Sequence, residues 1–347
     1  MKQFRCTSCK SKVFFENVLC LTCGSPLGFD EDTMSIVTLE AKRANEAGFR
    51  RASEPRGPVL HYCSNSVHGV CNWLMADGRP GTLCRGCQLN RTIPNLSEPG
   101  NLQAWRDLEH AKKRLLYSLI RLDLSFDHVP AGSQPLTFDF IANSKTGHLD
   151  GVVTIDVNET DAVERERQRQ QFQEPYRTLL GHARHESGHF FWPLLVERPG
   201  RLDEFRRLFG DERADYGAAL ARHHDVGPAA DWKDHHLTAY ASAHPWEDWA
   251  ETWAHYLHMV DAIDTAEAEG FAPRPSHWKK FWSTRYSRTD SYGEASFKSL
   301  LERWIPLTLS LNNLSRSLGH ADFYPFVIPE PACRKLDFIH RVVTRLR

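Results

Sequence analysis

Residues 181–191 read GHARHESGHFF and contain the pentapeptide HESGH (185–189), which has the pattern H-E-x-x-H. On a helix, His185 and His189 lie four residues apart and present two imidazoles on one face. Glu186 lies about 100° further round the axis, where it can miss a metal held by the histidines yet reach a water bound to it. A chain with 18 His in 347 residues can contain this pattern by chance, so the surrounding sequence must decide.

The residues around this motif predict a helix preceded by a small sheet. Pro175 suits the first turn of a helix, and no helix-breaking residue follows until Trp192 and Pro193. Upstream, LTFDFIA (136–142) and GVVTIDV (151–157) alternate apolar and polar residues, which predicts two strands of a small antiparallel sheet. An edge strand beside the motif helix could hold an extended peptide by main-chain hydrogen bonds.

A catalytic zinc site needs a third protein ligand, and a candidate lies in YASAHPWEDWAETWAHYLH (240–258). Pro245 can begin a helix on which Glu247 and Glu251 share one face. One carboxylate could then bind zinc while the other accepts a hydrogen bond from a ligating imidazole and sets its tautomer. The plain alternative is a solvated acidic face of the helix.

Eight of the nine cysteines lie in the first 87 residues, in two sets. Two C-x2-C knuckles form the first set and predict a four-thiolate structural zinc site. A disulfide pair is disfavoured because no export signal precedes it, and an iron site is the other alternative. The second set contains one regular knuckle, so His61 or His68 could replace a thiolate and the sets could exchange ligands. The first set is Cys6, Cys9, Cys20 and Cys23, and the second is Cys63, Cys71, Cys84 and Cys87.

These patterns predict two domains: a zinc-ribbon module over residues 1–95 and a mainly helical domain over residues 96–347. Residues 24–58 are polar and rich in turn formers, so we expect a linker there with a short helix near Leu39–Ala47. Helical periodicity predicts a long amphipathic helix over Leu102–Ile120 and two more helices near the C-terminus. The expected fold class is α+β.

Composition excludes several classes of protein. Apolar residues make up 41% and charged residues 25%, with a net charge of −1, so no overall field recruits nucleic acid or an anionic membrane. No apolar run of membrane-spanning length and no signal sequence occur, and we expect a soluble cytoplasmic protein. Basic residues beside the knuckles, in RCTSCKSK and LCRGCQLNR, leave local nucleic-acid contact open.

The motif followed by a helix with E-x-x-x-E resembles the gluzincin group of metallopeptidases, and Tyr240, seven residues before Glu247, is similar to the lethal-factor type. Nearly the whole chain resembles bacterial zinc-binding metallopeptidases with an N-terminal zinc-ribbon domain. Segments that carry this likeness are CTSC, CLTC, HYCSNSVHGVCNW, LCRGCQLNRTIPNL and LGHADFYPFVI. The resemblance implies that Glu247 is the third zinc ligand, that Glu251 supports a ligand His, and that Tyr240 stabilises the transition state.

The expected function is therefore zinc-dependent hydrolysis of peptide bonds in a peptide or protein substrate, with Glu186 as general base. One catalytic and one or two structural zinc ions are expected. A rival hypothesis is a non-catalytic protein whose ribbons recognise nucleic acid or protein, and in a mixed form the ribbons direct a protease to substrates on nucleic acid. Glu186 and Tyr240 together favour an enzyme, because a binding protein needs neither.

Overall fold

The computed structural model describes residues 1–41, 48–76, 81–171, 174–271 and 290–344. Strands form most of the regular structure up to residue 92, and helices predominate afterwards. The strands are β1 (Phe4–Arg5), β2 (Lys12–Val13), β3 (Leu27–Asp30), β4 (Ser35–Ala41), β5 (Phe49–Arg51), β6 (His61–Tyr62), β7 (Trp73–Met75), β8 (Asn90–Thr92), β9 (Thr137–Ile141), β10 (Gly147–Leu149) and β11 (Val152–Asp156). The helices are α1 (Arg85–Gln88), α2 (Asn101–Arg121), α3 (Ala162–Gln171), α4 (Leu179–Trp192), α5 (Leu202–Phe209), α6 (Tyr216–Val226), α7 (Trp232–His235), α8 (Pro245–Ala268), α9 (Phe297–Ser317) and α10 (Glu330–Thr344).

The segment between the two Cys sets is part of a sheet, so the prediction of a linker there was wrong. Strands β5, β4, β3, β7 and β6 form a five-stranded sheet in that order. Leu39 pairs with Arg51 inside this sheet. The chain is therefore a strand as far as Ala41, where a helix near Leu39–Ala47 was expected. Residues 42–47 of that prediction lie outside the described residues. Pairing with two neighbouring strands outweighs the helical propensity of the Glu- and Ala-rich sequence.

The second sheet has the order β10-β11-β9-β8 and is mixed, which corrects the predicted antiparallel sheet. Strand β9 pairs in parallel with both β8 and β11. The hairpin is made by β10 and β11, whose antiparallel register places Leu149 opposite Val152. Asp150 and Gly151 between them both have positive φ, as a two-residue hairpin turn requires. Because the chain passes through β10 between β9 and β11 and reverses direction at the hairpin, β11 runs parallel to β9.

Helix α2 forms as predicted and connects the two parts of the chain. Strand β8 lies in the first 95 residues but pairs with β9, and one hydrophobic cluster extends through both parts. The ring of Phe15 lies 5.6 Å from that of Tyr117 on α2, which in turn lies 6.3 Å from Tyr292. The ribbon and the helical part therefore share a core.

The helix that carries the H-E-x-x-H motif begins at Leu179, four residues later than predicted. Thr178 is its N-cap, and its hydroxyl accepts a hydrogen bond from the backbone N–H of Gly181. This cap ends the non-helical stretch that contains Pro175. Helix α8 begins at Pro245 as predicted, with His244 as N-cap.

Helices α4 and α8 pack closely at Gly188, inside the motif. A Cβ atom on Gly188 would lie 3.0 Å from the Cα of Ala250 and 3.1 Å from the Trp253 ring. The Trp249 indole donates to the carbonyl of Gly188 at 2.8 Å, and the Trp253 indole donates to the hydroxyl of Ser187 at 3.0 Å. A glycine at this position therefore sets the distance between the two helices.

The two helices predicted near the C-terminus are present as α9 and α10, and both pack against α8. Within the described ranges, no helix is both long enough and apolar enough to cross a membrane.

Candidate metal centre and active site

Three proposed ligands come together where α4 meets α8. Nε2 of His185 lies 3.0 Å from Oε2 of Glu247, and Nε2 of His189 lies 3.7 Å from its Oε1. One ligand atom from each of the three residues lies within 4.8 Å of the others. Glu247 is only 1% exposed. Burial would raise the pKa of Glu247, but the two histidines hold it well below its usual range, so the carboxylate is ionised.

This donor set fits a zinc ion. Nitrogen and oxygen ligands about 2.0–2.2 Å from a tetrahedral zinc are separated by roughly 3.4 Å. The two separations between imidazole nitrogens and Glu247 oxygens, 3.0 and 3.7 Å, bracket that value. Both imidazoles present Nε2 to the same carboxylate, so a cation placed among the three would meet three ligand atoms.

Glu251 contacts the opposite side of the His185 ring. Its Oε1 lies 2.7 Å from Nδ1 of His185, and its Oε2 accepts a hydrogen bond from the hydroxyl of Thr238 at 2.7 Å. A carboxylate at Nδ1 places the imidazole proton there and leaves the lone pair of Nε2 for a metal. Glu247 therefore faces the ligand nitrogens, and Glu251 faces the outside of the ligand set.

Glu186 lies beside this cluster without joining it. Its side chain is buried, and among the described residues nothing donates a hydrogen bond to its carboxylate. Burial raises the pKa of the Glu186 carboxyl, and the neighbouring His185 and His189 oppose that shift. A carboxylate with a raised pKa and free acceptor positions is suited to take a proton from a water.

Tyr240 begins a short 3-10 turn (Tyr240–Ser242) that leads into α8. Its ring centroid lies 6.0 Å from that of His185, and the residue is half-buried. Burial and the negative charge of Glu247 raise the pKa of the Tyr240 phenol. The hydroxyl therefore keeps its proton at neutral pH and remains a hydrogen-bond donor.

Sequence reasoning missed three side chains that contact the cluster. The Tyr216 hydroxyl donates to Oε1 of Glu247 at 2.6 Å, Thr238 holds Glu251, and the ring of His148 stacks on that of His189 at 6.3 Å. Tyr216 lies 31 residues before Glu247 and His148 lies on strand β10, so no local spacing links them to the motif. Of the three, only Thr238 lies close in the sequence to a predicted site residue, two positions before Tyr240.

The first Cys set is held by two similar knuckles. The backbone N–H of Lys10 donates to the carbonyl of Cys6, and that of Gly24 donates to Cys20; both donors have positive φ. The sulfur of Cys6 lies 3.7 Å from that of Cys23, and Cys9 lies 3.6 Å from Cys20. Sulfurs about 2.3 Å from a tetrahedral zinc would be roughly 3.8 Å apart, so these thiols fit one ion.

The second Cys set is fully buried and contains all four predicted thiols: Cys63, Cys71, Cys84 and Cys87. The group contains neither His61 nor His68, and it shares no residue with the first set. The backbone N–H of Cys84 donates to the sulfur of Cys63, and that of Trp73 donates to Cys71.

A buried lysine of α2 lies against this second set. The ammonium of Lys113 donates to the carbonyl of Val70 at 2.8 Å and lies 3.1 Å from Glu109. Burial would lower the pKa of Lys113, but Glu109 and the nearby thiolates raise it well above its usual value. Zinc bound by four thiolates would carry two negative charges, and the positive charge of this lysine would offset part of them.

The chain resembles known proteins over nearly its whole length. Residues 101–342 match the family model described as "Putative zinc-binding metallo-peptidase", and residues 3–98 match a model described as "zinc-ribbon domain". Uncharacterized proteins of Mycobacterium tuberculosis and Mycobacterium bovis are 39% identical over 351 residues, covering 99% of this chain and 95% of theirs. No solved structure matches the chain. The chain therefore belongs to this family of zinc-binding metallopeptidases and has a zinc-ribbon domain in its first hundred residues.

Proposed function

We propose that the protein is a gluzincin-type zinc peptidase that hydrolyses peptide bonds with Glu186 as general base. One observation carries the proposal: a partly exposed ligand set of His185, His189 and the buried Glu247 adjoins a buried carboxylate, Glu186, that is not part of it. A purely structural metal site is closed and needs no such carboxylate.

The roles of the side chains follow from their positions. A zinc ion bound there would supply Lewis acidity, lowering the pKa of a water and polarising the scissile carbonyl. Glu186 takes the proton from the attacking water and passes it to the leaving amine. Tyr240 donates a hydrogen bond to the carbonyl oxygen as negative charge develops on it. Glu251, held by Thr238, keeps the His185 ring in its ligating tautomer.

A peptide substrate has a suitable strand beside this site. Strand β10 is at the end of its sheet and packs against α4, and its His148 stacks on His189. An extended peptide could pair with the outer edge of β10 and so place a peptide bond near Glu186.

The eight clustered thiols complete the proposed zinc inventory. Two structural ions would bind the two Cys sets in a ribbon module over residues 1–95, and one catalytic ion would bind the domain over residues 96–347. Elemental analysis of purified protein should then find three zinc ions per chain. Cys6→Ser/Cys9→Ser should remove one of them and leave the other two, and a wild-type value below three would mean that one set is misassigned.

Hydrolysis is tested with a peptide library whose products are identified by mass spectrometry. Wild-type protein should produce zinc-dependent cleavages, and Glu186→Gln should reduce their rate by at least about 10²-fold, as loss of a general base does. The variant keeps every proposed ligand, so its zinc content should equal that of wild type. Equal cleavage by both proteins would refute the role of Glu186, and no cleavage by wild type would favour the non-catalytic hypothesis.

A further inference from the structure

The segment between the two knuckles of the first Cys set and the second knuckle itself expose four large apolar side chains. Phe14 is 59% exposed, Val18 53%, Leu19 45% and Leu21 92%. They occur within eight residues of the chain, and we call these four residues the knuckle patch. Single exposed apolar residues on a surface are ordinary, whereas several that follow one another closely in the chain give a candidate interaction surface.

The knuckle patch is held in a defined shape. The backbone N–H of Asn17 donates to the carbonyl of Phe14, and the side chain of Asn17 accepts a hydrogen bond from the N–H of Phe14. Leu19 forms a β-bridge with Pro26, and Leu21 lies in the turn between Cys20 and Cys23, two thiols of the first Cys set. A partner would therefore meet a surface that loses little conformational freedom on binding.

The exposed charged residues in the segment that contains the patch are basic, and one of them, Lys12, is paired with the acidic Glu269. In residues 1–27 the exposed charged side chains are all basic: Lys2, Arg5, Lys10 and Lys12. Glu16, the single acidic residue of that stretch, is bound by Arg114 at 2.7 Å. An apolar surface with a basic rim complements a partner that has apolar side chains flanked by carboxylates.

The side chains of the patch favour protein over nucleic acid. Single-stranded nucleic acids are recognised by aromatic and arginine planes on which bases stack. The patch has one aromatic ring, Phe14, and its other three members are aliphatic. Aliphatic side chains bury well against other apolar side chains but offer bases no stacking surface.

The patch is also far from the proposed catalytic site. The Lys12 ammonium forms an ion pair with Glu269, the residue that caps the C-terminal end of α8. Glu247 lies in the first turn of the same helix, 22 residues earlier, which corresponds to about 33 Å along its axis. A segment bound to the patch would therefore leave the metal centre free.

We propose that the knuckle patch is a docking site for an apolar protein segment flanked by acidic residues, separate from the metal centre. It goes beyond the proposed peptidase activity and does not depend on it. In a peptidase, such a site would select proteins by a sequence remote from the bond that is cut.

The experiment selects displayed random dodecapeptides against the zinc-loaded full chain carrying Glu186→Gln, so that no selected peptide is lost by hydrolysis. The affinity of the enriched peptides is then measured by fluorescence anisotropy. We expect sequences with at least two apolar residues flanked by Asp or Glu. Val18→Asp/Leu21→Asp should weaken their binding at least tenfold, because it removes apolar contact and places carboxylates opposite the acidic flanks.

The matched control is Val163→Asp/Leu318→Asp, which makes the same kind of change at two residues exposed to 78% and 76% elsewhere on the molecule. It should change affinity less than twofold, and zinc content should show that both variants keep the Cys sites. The proposal is overturned if no enriched peptide depends on the patch. It is also overturned if labelled oligouridine or duplex DNA binds the chain and loses affinity in Val18→Asp/Leu21→Asp, since the surface would then serve nucleic acid.

Discussion

Replacing Gly188 by alanine tests whether the close approach of α4 and α8 forms the metal site. Alanine is favoured over glycine inside a helix by about 1 kcal/mol, so helix propensity alone predicts stabilisation. The new Cβ would lie 3.0 Å from the Cα of Ala250, a backbone atom that cannot rotate away, and 3.1 Å from Trp253. Overpacking of this kind costs about 1–3 kcal/mol, so after the gain in helix propensity we expect a net loss of up to about 2 kcal/mol.

Two measurements separate stability from metal binding. Thermal unfolding of the zinc-loaded Gly188→Ala variant should occur up to about 8 °C below wild type for a domain of this size. Competition with a chelator should show an approximately tenfold weaker catalytic zinc, because the displaced α8 moves Glu247 away from His185 and His189. The zinc of the two Cys sets should be unchanged.

Gly217→Ala on helix α6 is the control. Its Cβ would contact only Oδ1 of Asp215, at an ordinary 3.6 Å. It should therefore be neutral or raise the free energy of unfolding by up to about 1 kcal/mol. If Gly188→Ala were as stable as Gly217→Ala and kept wild-type zinc affinity, α4 and α8 would not be held at the distance that the metal site requires.

Substitutions of four side chains at the metal centre should have different effects on zinc binding and catalysis. Glu247→Ala should lose the catalytic zinc. Glu251→Ala should weaken zinc binding about 10- to 100-fold, the usual cost of removing the hydrogen-bond partner of a ligating His. Both effects are measured by chelator competition, and the reverse order would exchange the roles of the two residues. Tyr240→Phe should keep zinc and KM but lower kcat by about 10- to 1000-fold in a peptide assay, and an unchanged kcat would return it to a packing role. Tyr216→Phe should weaken zinc by less than Glu251→Ala, because it removes one neutral donor to Glu247.

The amino-acid sequence by itself determined the parts of the site whose spacing is local. His185 and His189 share a helical face because they are four residues apart, and the same rule aligns Glu247 with Glu251. The C-x2-C spacing likewise makes each knuckle a pair of inward-pointing thiols. These patterns depend on one helix or one turn, so they can be read without knowing what packs against it.

Features that depend on residues distant in the chain could not be read in this way. The direction of β9 relative to β11 depends on an intervening short strand, β10, that makes the hairpin. The segment before Ala41 is a strand because partners lie on both sides of it, although its neighbours favour helix. The sequence left open whether the two Cys sets exchange ligands, and only the folded structure divides the eight thiols into two separate groups.

Tertiary structure also decided how the metal centre is completed. Which of the two acids faces the ligand nitrogens depends on how α8 is rotated against α4, and Gly188 controls how closely they approach. Tyr216 reaches Glu247 from a different helix, 31 residues away. Side-chain contacts of this kind depend on the relative placement of whole elements, which is determined by packing in the shared core and not by local periodicity.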